Sequence, residues 1–223
     1  MLITGSIIQT ISEGGTVWLM GDTHLLKKEK DRPRIVINRN YDNYKKELEK
    51  IHSNDMLIFM GDFVDDTIPI SLFKNEMEVL DQIPAKRRIW IRGNNDLFSE
   101  ETYEEYGFEV CYVATYYTED VTYVLSHTSI DVSKYKHVKC IHGHMHRNDS
   151  SEMFYYHDPK GNYNIAPDLS AGYILSLNAV IQSIIGTENH SRWFASHEKI
   201  GMSMFIHNEE HARMLEDLQI LRR

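Results

Sequence analysis

Five short apolar runs in this chain each end in a cluster of residues that bind metals or form hydrogen bonds. In chain order the clusters are GDTH, GDFVDD, GNND, LSH and GHMH, and runs such as VWLM and RRIWI stand just before them. Apolar runs of this length that stop at glycine and polar residues are typical of buried strands. In a layered sheet the ends of such strands meet at one edge, so the five clusters can converge on a single site.

Amphipathic stretches between these runs predict helices. Residues 41–52 place their larger apolar residues on one face, with charged residues elsewhere. Pro69 stands where a second helix can begin. The residues of that stretch spaced for burial are Leu72, Met77, Leu80 and Ile83. A third helix is expected between Ser99, as its N-cap, and Gly107. Strands that alternate with helices, followed by a strand-rich second half, indicate an α/β or α+β layered domain.

The two ends of the chain carry further expectations. SIIQTI, residues 6–11, and TVWLMG flank the sequence EGG, which predicts a hairpin of two strands. DPKGN, residues 158–162, has the composition of a hairpin turn. Residues 208–222 have the pattern of an amphipathic helix, suited to packing or to oligomer formation. We expect a domain over residues 1–185 and a helical extension over residues 186–223 that packs on the same domain.

Charge and composition narrow the range of partners. The formal net charge of −9 over 223 residues argues against broad binding to duplex nucleic acid, which requires a basic surface. No apolar run approaches the roughly 20 residues that span a bilayer, and the N-terminus lacks the pattern of a signal peptide. No membrane partner is therefore expected. Cys111 and Cys140 are too few for a disulfide framework, which favours a reducing, cytoplasmic setting.

A basic stretch follows the first cluster directly. Its residues are Lys27, Lys28, Lys30, Arg32, Arg34 and Arg39. The stretch is interpreted either as a solvated loop or as a positively charged edge beside a phosphate-binding site. The sequence leaves both interpretations open.

The clusters supply the donors of two metal sites. Oxygen and imidazole donors of this kind suit divalent ions such as manganese, iron and zinc. The residues that could hold one ion are Asp22, His24, Asp62 and His146. Those that could hold a second are Asp62, Asn94, His127 and His144, with the carboxylate of Asp62 shared between the two ions. Two ions about 4 Å apart can activate a hydroxide and clamp a phosphoryl group during in-line attack.

Each cluster alone is weak evidence. A lone histidine after an apolar run is more often a hydrogen-bonded core residue than a ligand. We interpret His142 as structural because the alternation of side chains along a strand need not point it inward. His142, His144 and His146 also match the start of the HxHxDH site of the metallo-β-lactamase fold. Arg147 and Asn148 stand where that site requires Asp-His, so this alternative fails. The order and spacing of all five clusters are the strong signal.

Taken together, GDTH, GDFVDD, GNND, LSH and GHMH resemble the motif set of the calcineurin-like metallophosphoesterases. The resemblance runs from Gly21 to His146 and continues more weakly to about residue 182, as in small bacterial and phage members. It implies an α/β fold, a four-layer αββα sandwich of two mixed β-sheets flanked by helices. It also implies a dinuclear site with the ligands given above, and a hydrogen bond between Asp65 and one of the metal-binding residues. Manganese is the first expectation for both ions, with iron, zinc and nickel as alternatives.

One position departs from the family pattern. The family usually has histidine after GN, where it binds the phosphate or protonates the leaving group, and this chain has Asn95. An amide can donate a hydrogen bond to a phosphoryl oxygen but cannot deliver a proton near neutral pH. Asp96, which would orient that histidine, loses its usual partner. Asn95, Asp65 and Asp96 are therefore the candidates for catalytic roles besides the metal ligands.

The resemblance implies a metal-dependent phosphoesterase that acts on a small-molecule or nucleotide phosphoester. Phosphodiesters are favoured over phosphomonoesters because Asn95 replaces the proton-donating histidine. Two alternatives stay open. The first is a phosphomonoesterase, including a phosphoprotein phosphatase. The second is a catalytically silent scaffold with the same fold, which would be expected to have lost ligands.

Overall fold

The computed structural model describes residues 1–25, 46–64, 68–144, 162–166 and 173–190, with side chains described to residue 185. The helices are α1 (Thr4–Ser12), α2 (Ile70–Asp81), α3 (Glu100–Glu104) and α4 (Leu177–His190), and residues 46–48 are also helical. The strands are β1 (Val17–Met20), β2 (Met56–Phe59), β3 (Arg87–Ile91), β4 (Glu109–Cys111), β5 (Val113–Tyr117), β6 (Thr122–Ser126), β7 (Val138–His142), β8 (Asn162–Asn164) and β9 (Leu175–Ser176).

The strands form two mixed sheets. The first has the order β4-β3-β2-β1-β9, with β1 to β4 parallel to one another and β9 antiparallel to β1. The second has the order β5-β6-β7-β8, with β5 antiparallel to β6 and the other pairs parallel. The expected α/β fold of two mixed sheets with flanking helices is confirmed. Parallel pairing places the carboxyl ends of β1, β2 and β3 side by side.

Alternating side chains divide the core into layers. Met56 and Ile58 of β2 belong to the cluster that both sheets share, and Leu125 of the second sheet belongs to it too. Leu57 and Phe59 point to the other face of the first sheet, where α2 packs. β2 is buried on both faces, which explains its continuous apolar sequence. Over the described residues, residues 130–135 pack on the outer face of the second sheet.

An aromatic cluster supports the end of β3. Trp90 stacks on Phe59, with ring centroids 4.4 Å apart, and it meets Phe63 and Phe108 edge to face. Tyr103 of α3 contacts the same indole ring at 4.5 Å between centroids. Trp90 is fully buried, so the strand enters the GNND loop from a fixed position.

The predicted N-terminal hairpin is wrong. Residues 6–11 lie in α1, whose buried residues Ile7 and Thr10 follow the buried Ile3 at helical spacing. α1 packs against β1 and β5, and Gly14, with φ +79°, lies in the turn that leads to β1. The apolar residues are thus buried at the period of a helix, not of a strand.

Of the other predicted elements, the second and third helices are confirmed, whereas the first is helical over residues 46–48 and ends before the predicted residue 52. α2 follows Pro69 and buries Met77 and Leu80, and Ile83 is buried just beyond it. Leu72 is 43% exposed, because Phe73 takes the core position on that turn instead. α3 begins after Ser99, although the serine side chain makes no capping hydrogen bond to the backbone.

Some expectations fall outside the described residues. Residues 41–45 of the first predicted helix, most of the DPKGN turn and the helix at 208–222 are in this group. The helical extension over residues 186–223, its packing and its role in oligomer formation therefore stay predictions. Within the described residues, no helix combines the length and the apolar character that a membrane crossing requires.

Candidate metal centre

Backbone hydrogen bonds join the loops that follow β1 and β2. The Asp22 N–H donates to the carbonyl of Gly61 at 2.6 Å, and the His24 N–H donates to the carbonyl of Asp62 at 3.0 Å. The Thr23 hydroxyl donates to the carbonyl of Phe63 at 2.6 Å. Parallel pairing therefore continues past the ends of the strands and brings GDTH and GDFVDD into contact.

Two glycines allow the GNND loop to approach these loops. A Cβ atom on Gly93 would lie 2.0 Å from Oδ1 of Asp62, which leaves no room for a side chain. Gly61 has φ +77°, and a Cβ atom there would lie 2.4 Å from the Gly93 nitrogen. Glycine is required at both positions because atoms of Asp62 and of Gly93 itself occupy the space that a side chain would need.

The backbone is strained at four of the predicted ligands. Among the described residues, the non-glycine residues with positive φ are Asp22 (57°), His24 (42°), Asp62 (51°) and His144 (60°). Side-chain crowding makes this left-handed region uncommon for residues other than glycine, and it is found most often at functional sites. All four residues were predicted from the sequence as metal ligands. The strain therefore coincides with the predicted centre.

One group of donors comprises Asp22, His24 and Asp62. Nε2 of His24 lies 3.2 Å from Oδ1 of Asp22 and 3.6 Å from Oδ2 of Asp62. All three side chains are buried, and the candidate ligand atoms lie within 4.8 Å of one another. His146, the fourth ligand predicted for this ion, falls outside the described residues.

The second group comprises Asp62, His127 and His144, with Asn94 beside them. Nε2 of His127 lies 3.2 Å from Oδ2 of Asp62 and 3.1 Å from Oδ1 of Asn94. The same nitrogen lies 3.1 Å from Nδ1 of His144. Asp62 is common to both groups, as the sequence predicted for a shared ligand.

The tautomer of His127 is set by Met60. Nδ1 of His127 donates to the carbonyl of Met60 at 2.8 Å, and a carbonyl can only accept. In the neutral ring, Nε2 therefore carries the lone pair, and this lone pair points at Asp62, Asn94 and His144. A histidine held by a backbone carbonyl in this way is a typical metal ligand.

Burial and charge have opposite effects on the pKa values of Asp62 and His127. Burial of the carboxyl group favours the protonated form, but the hydrogen bond and charge of His127 outweigh it and lower the pKa of Asp62. Burial likewise disfavours a charged imidazole, yet the hydrogen bond and charge of Asp62 raise the pKa of His127 to about 9. A divalent ion would therefore compete with a proton for Nε2 of His127.

The GNND loop holds Asp62 from two sides. The backbone N–H of Asn95 donates to Oδ1 of Asp62 at 2.8 Å, and Nδ2 of Asn95 donates to Oδ2 at 2.7 Å. The carboxylate of Asp96 accepts the backbone N–H of Asp62 at 3.2 Å. Burial, followed by the negative charge of Asp62, raises the pKa of Asp96.

The structure brings six of the predicted ligands together: Asp22, His24, Asp62, Asn94, His127 and His144. Asp65 and the basic stretch at 27–39 lie outside the described residues, as His146 does. His142 is buried and its Nδ1 donates to the carbonyl of Gly143, and no donor group found among the described residues includes it. Arg92 donates to the carbonyls of Asp96 and Phe98, which ties it to the loop.

Two contributors to the site were not predicted from the sequence. Met60 acts through its carbonyl, and a backbone atom leaves no signature in the residue type. Trp90 was expected in the core, where it lies, but its indole N–H also donates to Asp96 at 2.9 Å. The need of a buried indole N–H for a partner was the available signal.

The donor set fits divalent metal ions. In each group the carboxylate and imidazole ligand atoms lie within 4.8 Å of one another, and the carboxylate of Asp62 is common to both groups. The amide oxygen of Asn94 lies 3.1 Å from Nε2 of His127. Such ligands suit ions of the manganese, iron or zinc type. The described residues supply six of the predicted metal ligands.

Comparison with known proteins agrees with a metal-binding site of this kind. The family model described as calcineurin-like phosphoesterase matches residues 15–198. A solved structure, the protein of unknown function AQ665 from Aquifex aeolicus, has a TM-score of 0.54 and 16% identity, and the match covers 75% of this chain and 98% of that one. This likeness shows the fold. None of the curated proteins matches the chain.

Two further solved structures are similar at lower scores. A protein described as a novel archaeal phosphodiesterase has a TM-score of 0.39 and 18% identity, over 68% of this chain and 82% of that one. Nuclease MPE from Pseudomonas putida has a TM-score of 0.38 and 19% identity, over 57% of this chain and 59% of that one.

Proposed function

Because this chain belongs to the calcineurin-like phosphoesterase family, we propose that it hydrolyses phosphodiesters in preference to phosphomonoesters with the help of two divalent metal ions. Manganese is the metal we propose first. The observation that carries the proposal is the position of Asp62, whose carboxylate belongs to both groups of donors. A small-molecule or nucleotide phosphoester is the proposed substrate.

The residues of the chain divide into two binding groups. Asp22, His24 and Asp62, with His146 as the fourth predicted ligand, would hold one ion, and Asp62 with Asn94, His127 and His144 would hold the other. When bound, divalent ions supply the Lewis acidity that activates water and neutralises phosphoryl charge. The chain contributes buried carboxylates and a fixed imidazole tautomer, so the donors are oriented before the metal arrives.

Asn95 supports the preference for diesters. Expulsion of an alkoxide from an alkyl monoester requires a proton, and a positioned general acid contributes about 10²- to 10⁴-fold. The amide of Asn95 cannot supply that proton, and Nδ2 of Asn95 already donates to Asp62. Diesters carry a single negative charge, which eases attack by an anionic nucleophile. A substrate with a good or internally stabilised leaving group is therefore the better fit.

The retained donors argue against a silent scaffold. Six predicted ligands keep competent oxygen or nitrogen atoms, and none among the described residues is replaced by an apolar side chain. We also propose a reducing, cytoplasmic setting, since two cysteines, Cys111 and Cys140, are too few for a disulfide framework.

Paired aryl substrates test the proposal. We expect manganese-loaded protein to hydrolyse bis(p-nitrophenyl) phosphate with a higher kcat/KM than p-nitrophenyl phosphate, and Asp62→Asn to hydrolyse neither. A higher kcat/KM on the monoester would favour the phosphomonoesterase alternative. Lack of turnover on both substrates and on nucleotide diesters, in protein that binds manganese, would favour the scaffold.

A further inference from the structure

One oxygen of the Asp96 carboxylate accepts hydrogen bonds from three N–H groups. Oδ2 accepts the backbone N–H of Gly93 at 2.7 Å, the indole N–H of Trp90 at 2.9 Å and the backbone N–H of Asp62 at 3.2 Å. Asp96 is only 6% exposed, so these donors replace the water that would otherwise solvate the carboxylate. The carboxylate thus has partners in two backbone N–H groups and the indole of Trp90, whereas the sequence indicated only that it loses the histidine usual at position 95.

These three hydrogen bonds connect Trp90 in the core with Asp62, a predicted metal ligand whose backbone is strained. Trp90 is fixed by the aromatic cluster on the outer face of the first sheet. Asp62 has φ +51°, a conformation that persists only where its surroundings hold it. The bond from the Asp62 N–H to Asp96 is one such restraint. Asp96 therefore links the core to the backbone of the shared ligand.

The carboxylate of Asp62 is fixed through the same loop. Asp96 holds the N–H of Gly93, at the start of the tight turn, and the following residues then face Asp62. From that position Asn95 donates its backbone N–H to Oδ1 and its Nδ2 to Oδ2 of Asp62. Displacement of the loop would release both oxygens of the shared ligand.

We propose that Asp96 is a positioning residue for Asp62, and that it fixes the metal-binding conformation of the shared carboxylate before any ion binds. This inference rests on the proposed function, since it requires a metal site at Asp62. It gives Asp96 a role that does not depend on the histidine absent from position 95. Metal affinity is the property that it controls.

The chain contains a matched control for this role. Asp55 is 5% exposed and accepts the backbone N–H groups of Thr16 and His52 and the indole N–H of Trp18, at 2.7, 2.8 and 2.9 Å. It thus has the same burial and the same kinds of donor as Asp96. Asp55 immediately precedes β2, at the opposite end of that strand from Asp62. A replacement there costs folding stability without touching the metal ligands.

The experiment measures Mn²⁺ binding to metal-free protein by isothermal titration calorimetry, together with the thermal midpoint without metal. We expect Asp96→Ala to bind Mn²⁺ about 10- to 100-fold more weakly than wild type. Asp55→Ala should lower the thermal midpoint but keep the wild-type affinity. Asp96→Asn, which retains an oxygen for the three donors, should fall between wild type and Asp96→Ala.

The outcomes separate this inference from the proposed function. Wild-type affinity in Asp96→Ala, or an equal loss of affinity in Asp55→Ala, would overturn the positioning role. If Asp96→Ala does not fold, wild-type affinity in Asp96→Asn would overturn it as well. Wild-type protein that binds Mn²⁺ but hydrolyses no phosphoester would overturn the proposed function alone, and protein that binds no Mn²⁺ would overturn both.

Discussion

At the scale of single residues, the site is organised around one buried carboxylate. Oδ2 of Asp62 lies 3.2 Å from Nε2 of His127 and 3.6 Å from Nε2 of His24. Asn95 donates to both carboxylate oxygens. Position 95 therefore affects the geometry of the shared ligand as well as the supply of a proton to the leaving group.

The replacement Asn95→His tests the second of these effects. An imidazole at this position can act as a general acid, so the kcat/KM for an alkyl phosphomonoester should rise by about tenfold or more, and more than that for an aryl phosphodiester. Assays at saturating Mn²⁺ remove the effect of the lost bond to Asp62. Asn54→His, at an exposed site before β2, is the matched control. An unchanged ratio between the two substrates would mean that another group supplies the proton.

At the scale of elements, the sequence predicts the site better than it predicts the N-terminal helix. The five clusters follow strands directly, and parallel register aligns the ends of those strands, as with Phe59 opposite Met20. Each cluster can be recognised from a few adjacent residues, and the pattern occurs five times in the chain. The run SIIQTI is too short to distinguish the periodicity of a helix from that of a strand. Burial of Ile7 and Thr10 also depends on packing partners that are distant in the chain.

The roles of Asp96 and Met60 could not be predicted for a related reason. Oδ2 of Asp96 accepts backbone N–H groups, and the carbonyl of Met60 orients His127. Such contacts depend on where loops meet after folding, not on residue type. The sequence identified the side chains that carry the chemistry, but not the backbone atoms that hold them.

Asp55 supports a prediction about β1 and β2. Burial raises the pKa of this carboxyl group, but hydrogen bonds from His52, Thr16 and Trp18 outweigh burial and lower it. The contribution of Asp55 to folding is therefore complete above the unfolded pKa of about 3.9 and is lost as the pH falls through the lower folded value. Asp55→Asn should lower the free energy of unfolding by about 1 to 3 kcal/mol at neutral pH.

Urea unfolding near pH 7 and near pH 3 measures this effect. The difference between wild type and Asp55→Asn should shrink at the lower pH, where the wild-type carboxylate begins to be protonated. Asp120→Asn, at an exposed position in the turn between β5 and β6, should match wild type within about 0.5 kcal/mol at both pH values. A difference for Asp55→Asn that is the same at both pH values would show that the charge of Asp55 is not what stabilises the fold.

At the scale of the whole molecule, the residues of the candidate metal centre come from both sheets. Asp62 and Asn94 follow strands of the first sheet, whereas His127 and His144 follow strands of the second. An ion bound to these residues would link the two sheets. Metal binding is therefore expected to stabilise the entire fold and not only the loops.

Thermal unfolding with and without Mn²⁺ tests this link. At a Mn²⁺ concentration 100 times the dissociation constant, binding to the folded state alone adds about 2.7 kcal/mol. For a chain of this size the thermal midpoint should rise by roughly 5 to 10 °C. Addition of a chelator should reverse the shift, and Asp62→Asn should show a smaller one. A midpoint that does not respond to Mn²⁺ would show that the ion does not hold the two sheets together.

The metal content per chain shows whether Asp62 is shared between two ions. Elemental analysis of wild-type protein loaded with Mn²⁺ and freed of excess ions should give two ions per chain, because Asp62 serves both groups of donors. Asp62→Asn should lower the occupancy of both sites together and not of one site alone. One ion or none in the wild-type protein would contradict the shared-carboxylate site.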